Sequence, residues 1–296
     1  MNKRTINFMA VRNVAFAVTL ILSMLGFWAL FAKGLNFGLD FTGGTLIELK
    51  YEQAADLGKI KQGLVQAGHP DAVVQSYGAT TDVLVRLAGE DPHLGNKIAA
   101  ILHSMDEQTR FELVRVEFVG PQVGKELRDQ GGLAGLLALG GILLYLGFRF
   151  QWKFGIGAIA SLVHDTIITL GLLALFQVPF DLTVLAAVLA MVGYSLNDTI
   201  VVYDRIRENF RVLRKASLEE NINISITQTL LRTFATMFST ALALISLLIF
   251  GGDVLANFAV TLLIGVAVGT YSSIYIGATL LVWLKLTSDD LTSPLD

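Results

Sequence analysis

Two polar pairs stand inside stretches of chain that are otherwise apolar. Asn197 and Asp198 lie near the C-terminal end of the run 182–203, and six residues after Asp198 the chain turns into Asp204-Arg205-Ile206-Arg207-Glu208-Asn209. His164 and Asp165 sit at the midpoint of another such run, and Arg232-Thr233 opens a third. A carboxylate inside hydrocarbon costs about 2.5 to 3.5 kcal/mol on insertion scales, so it is expected to face other helices or water rather than lipid. The chemistry this placement allows is proton exchange. Asp198 and Arg232, at similar depth on neighbouring helices, could hold one another charged, and protonating the carboxylate would release the guanidinium to move. The competing reading is a static polar clamp, because hydrogen bonds between membrane helices contribute roughly 0.6 kcal/mol on average and a buried ion pair can be purely structural. His164 and Asp165 are adjacent and so point about 100° apart on a helix; at most one of them is expected to face the bundle interior.

The elements that must position these groups follow from composition. Of 296 residues, 53% are hydrophobic and 16% charged, far from the roughly 25% charged of a soluble domain. The sequence therefore predicts an α-helical integral membrane protein. Its six transmembrane helices fall at 14–32, 131–148, 154–176, 183–203, 234–250 and 255–284. The third and fourth are separated by 177–182, with Pro179 as a stop, and the fifth and sixth by 251–254, so each pair is expected to form a tight hairpin. Lys3, Arg4 and Arg12 precede the first span. Arg149 and Lys153 fill the second connection, Arg205, Arg207, Arg211, Arg214, Lys215 and Arg232 crowd the fourth, and Lys285 begins the tail. By the positive-inside rule, the N-terminus, a basic loop at 204–231 and the tail 285–296 are cytoplasmic. The first span, within 1–33, is too long for a cleaved signal peptide and reads as a signal anchor. The bundle is expected to occupy 131–284.

The long segment 34–130 then lies outside, across the membrane from the basic segments. Its hydrophobic period switches in order: a strand at 45–51 with Ile47, Leu49 and Tyr51 on one face, a helical stripe at 57–67, β-rich runs at 72–77 and 82–87 joined by 78–81, a second helix through Leu94 to Met105, and a strand at 111–119 with Val114, Val116 and Phe118 opposite Arg115 and Glu117. The order β-α-β-β-α-β predicts an α+β ferredoxin-like domain between the first and second membrane helices. That fold alone implies no function. Its fourteen acidic against nine basic residues, about −5 net, argue against nucleic acid or anionic lipid and favour a protein or peptide partner. No catalytic triad, metal-spaced histidine cluster or phosphate-binding glycine pattern is present, so neither catalysis, metal nor cofactor is expected. The chain has no cysteine, which excludes disulfides and thiol chemistry. Gly265, Gly269, Ser273 and Gly277 recur every four residues in the last span, and Gly131 and Gly135 do so at the start of the second; both predict close helix approach. The partner helix could belong to this chain or to another.

Six motifs in order carry a resemblance. They are Gly38-Leu-Asp-Phe-Thr-Gly-Gly-Thr45, Val119-Gly-Pro-Gln-Val-Gly124, His164-Asp165, Gly193-Tyr-Ser-Leu-Asn-Asp198 running into Tyr203-Asp-Arg-Ile-Arg-Glu-Asn209, Arg232-Thr233 and Gly269-Thr-Tyr-Ser-Ser273. Together the chain resembles the SecD/SecF family of bacterial protein-translocase subunits, on its SecF side, along its whole length. The resemblance implies a protein of the resistance-nodulation-division superfamily type that pairs with SecD. It implies association with the Sec channel SecY, SecE and SecG and with YajC, and use of the proton-motive force to draw unfolded preproteins across the membrane. It places Asp198 and Arg232, with Asn197, on the family's proton-coupling positions, and makes Asp40, Gly43 and Gly44 part of the segment linking the first span to the periplasmic domain. His164, Asp165 and Thr233 are candidates for an intramembrane polar network. The Gly265 to Gly277 stripe is expected to offer SecD a docking surface. Two other classes fit parts of the sequence: a proton-coupled small-molecule exporter, and an intramembrane aspartyl protease with Asp165 and Asp198 as its dyad. The protease reading lacks the usual Gly-x-Gly-Asp motif. A passive assembly factor would make changes at Asp198 silent.

Overall fold

A computed structural model describes residues 5–77, 79–89, 91, 93–105, 110–287 and 290; Lys3 and Arg4 of the predicted basic N-terminus and Gly78 of the predicted hairpin lie outside them. In chain order the elements are α1 (Arg12–Ala32), β1 (Asn36–Phe37), α2 (Leu39–Thr42), β2 (Gly44–Tyr51), α3 (Leu57–Gln66), β3 (Val73–Tyr77), β4 (Ala79–Leu87), α4 (Leu94–Met105) and β5 (Phe111–Val119). They continue with α5 (Pro121–Arg149), α6 (Trp152–Leu175), β6 (Pro179–Phe180), α7 (Leu182–Val212), α8 (Leu218–Phe250), α9 (Gly252–Ser272) and α10 (Ala278–Trp283). The chain divides into two compact units, one made of Met1–Asn36 with Ala134–Asp296 and the other of Phe37–Leu133.

Among the described residues six helices are long and apolar enough to cross a membrane, Phe8–Ala32, Pro121–Arg149, Trp152–Leu175, Leu182–Val212, Leu218–Phe250 and Leu255–Trp283, and the chain is a multi-pass membrane protein. The helices overrun the apolar runs that the sequence marks. α7 continues to Val212, and α8 begins at Leu218, where the Ser217 hydroxyl accepts from Glu220 N–H at 3.2 Å and two glutamates fill the first turn. The segment 204–231 is therefore helical on both sides of a short turn at 213–217 rather than a loop. Ile222 and Ile226 on α8 and Ile206 on α7 are fully buried there, in a core shared with Phe154, Tyr203 and Ala278. The last span is interrupted: α9 ends at Ser272, one π-helical turn runs Ser273–Gly277, and α10 follows.

The glycine stripe packs inside the chain. A Cβ at Gly265 would fall on the Met191 side chain of α7, one at Gly269 would lie 2.8 Å from Ser195 Cβ, and one at Gly277 would lie 2.7 Å from the Tyr203 hydroxyl. Ser273 is fully buried and returns its hydroxyl to Thr270 O at 3.0 Å. The expectation that this stripe docks a partner subunit is thereby overturned: α7 already covers it, because small residues let the two backbones come close. Gly135 on α5 is the opposite case, with nothing within 4 Å of a Cβ placed on it.

The second unit is a four-stranded antiparallel sheet in the order β3-β4-β2-β5, reached by the chain order β-α-β-β-α-β. Ile47 and Leu49 of β2, Val83 and Val85 of β4, Leu64 of α3 and Ile98 of α4 are fully buried in one core, as a two-residue period on strands facing helix stripes requires. The last strand departs from simple alternation. Glu48 pairs with Arg115 but Leu49 pairs with Leu113, so Val114 is the extra residue of a β-bulge. It is 49% exposed, while Phe111 and Val116, on either side of the bulge, both reach the core. At the base of this unit Gly43 and Gly44 have φ of 67° and 115°. A Cβ on Gly44 would strike the Leu87 carbonyl, one on Gly43 would lie 2.9 Å from Pro121 Cα, and one on Gly124 would lie 2.8 Å from Gly43 N. The Gly-Gly pair and the Gly-Pro-Gln-Val-Gly segment are thus two halves of one close backbone contact.

Gly44→Ala is expected to destabilise the sheet unit by about 1–3 kcal/mol through strain and overpacking, seen as faster proteolysis of 37–133 in intact membranes, with Gly132→Ala unchanged as control. Gly265→Val should cost about 1–3 kcal/mol by the same overpacking of a filled contact and lower the melting temperature of the detergent-solubilised chain. Gly135→Ala should leave that temperature unchanged.

Candidate proton-coupling site

The buried face of α7 reads Val188, Met191, Ser195, Asp198, Val202 and Ile206, a three- and four-residue spacing that keeps one side of a helix against its neighbours. Two polar residues on that face are therefore carried into the bundle. Asp198 is 3% exposed, and its Oδ2 is buried with no hydrogen-bond partner. One turn earlier on α7, the Tyr194 hydroxyl is likewise buried, beside Thr236 and Thr240 of α8 but without a hydrogen bond of good geometry.

Asp165 on α6 is fully buried and amply bonded. Its Oδ1 is 2.8 Å from His164 Nδ1; its Oδ2 accepts from the Ser195 hydroxyl of α7 and, at 2.7 Å, from the Ser272 hydroxyl at the end of α9. Both His164 and Asp165 face protein, against the expectation that at most one could. α6 is covered on more than one side: α7 and α9 pack on it, and α1 approaches so closely that a Cβ on Gly171 would strike the Gly26 backbone. His164 Nε2 is buried without a partner. Hydrogen bonds thus engage Asp165 with its own neighbour and two serines, and none links it to Asp198. The geometry of a carboxylate dyad sharing a proton is not present.

Arg232 lies on α8, next to α7, and is exposed. It makes no ion pair with Asp198 among the described residues, and stands close enough for the two charges to attract when Asp198 is ionised. It lines a cavity of about 540 Å³ with Asn197, Asp204, Arg205, Glu208 and Gln228. The wall of that cavity is itself ordered: Arg205 Nε donates to Gln228 Oε1 at 2.6 Å, and Asn209 Nδ2 to the same oxygen at 2.9 Å. Asn197 faces this polar space while Asp198, its neighbour, faces the bundle. Thr233 is buried, and Thr236 returns its hydroxyl to the carbonyls of Arg232 and Thr233. The hydroxyls after Arg232 are in part satisfied within their own helix.

The structure thus brings Asn197, Asp198 and Arg232 to one place and His164 and Asp165 to another on the same bundle. Asp40 lies in the one-turn helix α2, immediately before Gly43 and Gly44. Reading from sequence missed Ser195 and Ser272 as partners of Asp165. Both lie inside motifs that the sequence singles out, and their three-residue spacing to Asp198 and Gly269 is the signal that could have placed them on the packed faces. Among the described residues no group of three or more His, Cys, Asp or Glu could hold a metal ion.

Comparison with known proteins places these residues in context. Residues 97–287 match the family model described as protein export membrane protein SecD/SecF, C-terminal, and residues 28–55 match the SecD/SecF GG motif. The protein translocase subunit SecF of Pseudomonas aeruginosa is 68% identical over 290 residues, covering 98% of this chain and 95% of that protein. The subunit of the same name from Vibrio alginolyticus is 47% identical over 296 residues, covering 99% and 94%. Among solved structures, SecDF from Thermus thermophilus, described as a translocon-associated membrane protein, superimposes with a TM-score of 0.85 at 39% identity over 96% of this chain. A SecDF structure in a super-membrane-facing form gives 0.70 at 38% identity. The chain spans 39% of each of those SecDF chains. With the family model covering most of its length and close relatives aligned nearly end to end, the chain belongs to the SecD/SecF family of protein export membrane proteins.

Proposed function

We propose that the chain is an accessory subunit of the Sec protein-export machinery that, paired with a SecD-type partner, uses the proton-motive force to promote translocation across the bacterial inner membrane. Family membership supports the export role. The observation that carries the proton-coupled part is Asp198 itself: a carboxyl buried in a membrane bundle with one oxygen unpartnered. It has a guanidinium acting on it from the next helix and a polar cavity opening at its neighbour Asn197. Structural carboxylates in membrane spans are expected to be paired; one that is not is available to bind and release a proton. Arg232 is the counter-charge whose attraction to Asp198 exists only while the carboxylate is ionised, so each protonation alters the force between α7 and α8. Thr233 and the His164–Asp165 pair are further buried polar groups of the same bundle.

In this reading both termini and the 213–217 turn are cytoplasmic, as the basic residues of the described and flanking segments favour. The sheet unit is a periplasmic ferredoxin-like domain, supported by its strand order and by its excess of acidic over basic residues. Its partners are SecD, the channel subunits SecY, SecE and SecG, YajC, and unfolded preproteins in transit. The role is not enzymatic: the work is done by coupling a proton to a conformational change, not by making or breaking a substrate bond.

In cells depleted of the native subunit, Asp198→Asn at matched membrane abundance should export a periplasmic precursor no faster in pulse-chase than depleted cells do, and a protonophore should add no further delay. Wild-type export by Asp198→Asn would favour a passive assembly role instead. Arg232→Gln should match Asp198→Asn, and Arg232→Lys should retain part of the rate because it keeps the charge while losing the guanidinium geometry.

A further inference from the structure

We infer that Asp165 is a positioning residue, which through Ser195 and Ser272 sets the rotation of α7 about its own axis and so holds Asp198 on the dry side of that helix. The importance of that placement rests on the proposed role of Asp198. Ser195 and Asp198 are three residues apart, about 4.5 Å along the helix and about 60° around it; whatever fixes one fixes the other. The boundary between the wet and dry faces of α7 runs between adjacent residues. Asn197, Val201 and Asp204 line the cavity, whereas Asp198, Thr199 and Val202 are buried. A rotation of well under one residue step would carry Asp198 across that boundary.

Little else near Asp198 restrains such a rotation by direction. The contacts of α7 with α9 at Met191–Gly265 and Ser195–Gly269 are van der Waals contacts made possible by the glycines, not hydrogen bonds. Tyr203 wedges between Gly157 and Gly277 but its hydroxyl makes no hydrogen bond. Directional bonds elsewhere on α7 lie before Met191 or beyond Val202, where Asp181 caps the first turn, Asp204 accepts from Arg149 of α5, and Arg205 and Asn209 reach Gln228 and Ser225 of α8. Between them, the hydroxyl of Ser195 on Asp165 is the bond that ties this part of α7 to α6. Ser272 donates to the same carboxylate oxygen, so α9 is tied to the same point. Three helices are thus pinned through one side chain.

The chain contains no cysteine, so the rotation can be read with single thiols in the full chain, co-expressed with its SecD-type partner in native membranes. Val201→Cys on the cavity face should react quickly with a charged methanethiosulfonate reagent and Val202→Cys slowly. Adding Ser195→Ala with Ser272→Ala, or Asp165→Asn, should narrow that ratio by about tenfold, a population shift of the size that lost hydrogen bonds allow. Ile222→Cys, buried on α8, should stay unreactive in the same backgrounds. An unchanged ratio at equal membrane abundance would overturn the inference. So would a parallel rise at Ile222→Cys, which would mean that the bonds hold only overall stability. A silent Asp198→Asn in export would refute the proton-coupling role and leave the accessibility result standing, so the two failures are separable.

Discussion

Carboxyl groups taken out of water must be compensated by the protein, and the bundle does this in full for one of its two deep carboxyls and only in part for the other. Compensation of Asp165 is what the helix arrangement is built around. A serine hydroxyl reaches barely past its own backbone, so two serines from different helices can meet one carboxylate only where three helices converge. The convergence depends on glycine: at Gly269 a Cβ would already crowd Ser195, and on the other side of α6 the Gly171–Gly26 approach lets α1 close over it. The small residues and the carboxylate are parts of one device. The glycines permit the approach and the hydrogen bonds give it a direction.

Asp198 sits one turn from that anchor and has no such set of partners, and the proposed proton-coupling role rests on this contrast. The same helix face that buries it also continues into the apolar core of Val202, Tyr203 and Ile206, so the group cannot relax toward water without moving the helix. Its counter-charge is on α8, a helix whose outer surface carries exposed Phe234, Phe238 and Ile249, and the polar cavity separates that charge from the bundle interior. A proton that alters one attraction therefore acts on the relation between two long helices, which is how a small local event becomes a large one.

Much of this was legible in the sequence. The six spans and the β-α-β-β-α-β order came from hydrophobic period alone, since each buried face repeats at the spacing of its element. Asp198 and Arg232 stood out because charge in an apolar run is rare. The misreadings share a cause: they concern which surfaces meet, and that is not written in any one segment. The glycine stripe announced a tight contact but not that α7 would fill it. His164 and Asp165 are both buried because α6 is surrounded, a fact about three other helices. Val114 is exposed because the register with β2 places a bulge there. Ser195 and Ser272 share the spacing of the packed faces, but a hydroxyl in a membrane helix reads the same whether it bonds back to its own turn or across to a neighbour.

The central claim, that Asp198 carries a proton through its gain and loss at the edge of the bundle, is tested most directly by proton influx into vesicles holding the chain together with its SecD-type partner. An inward proton gradient would be imposed and influx followed with a trapped pH-sensitive dye while an unfolded precursor is present. The account predicts influx above that of empty vesicles for the wild type and none above it for Asp198→Asn. Equal influx in the two would contradict it.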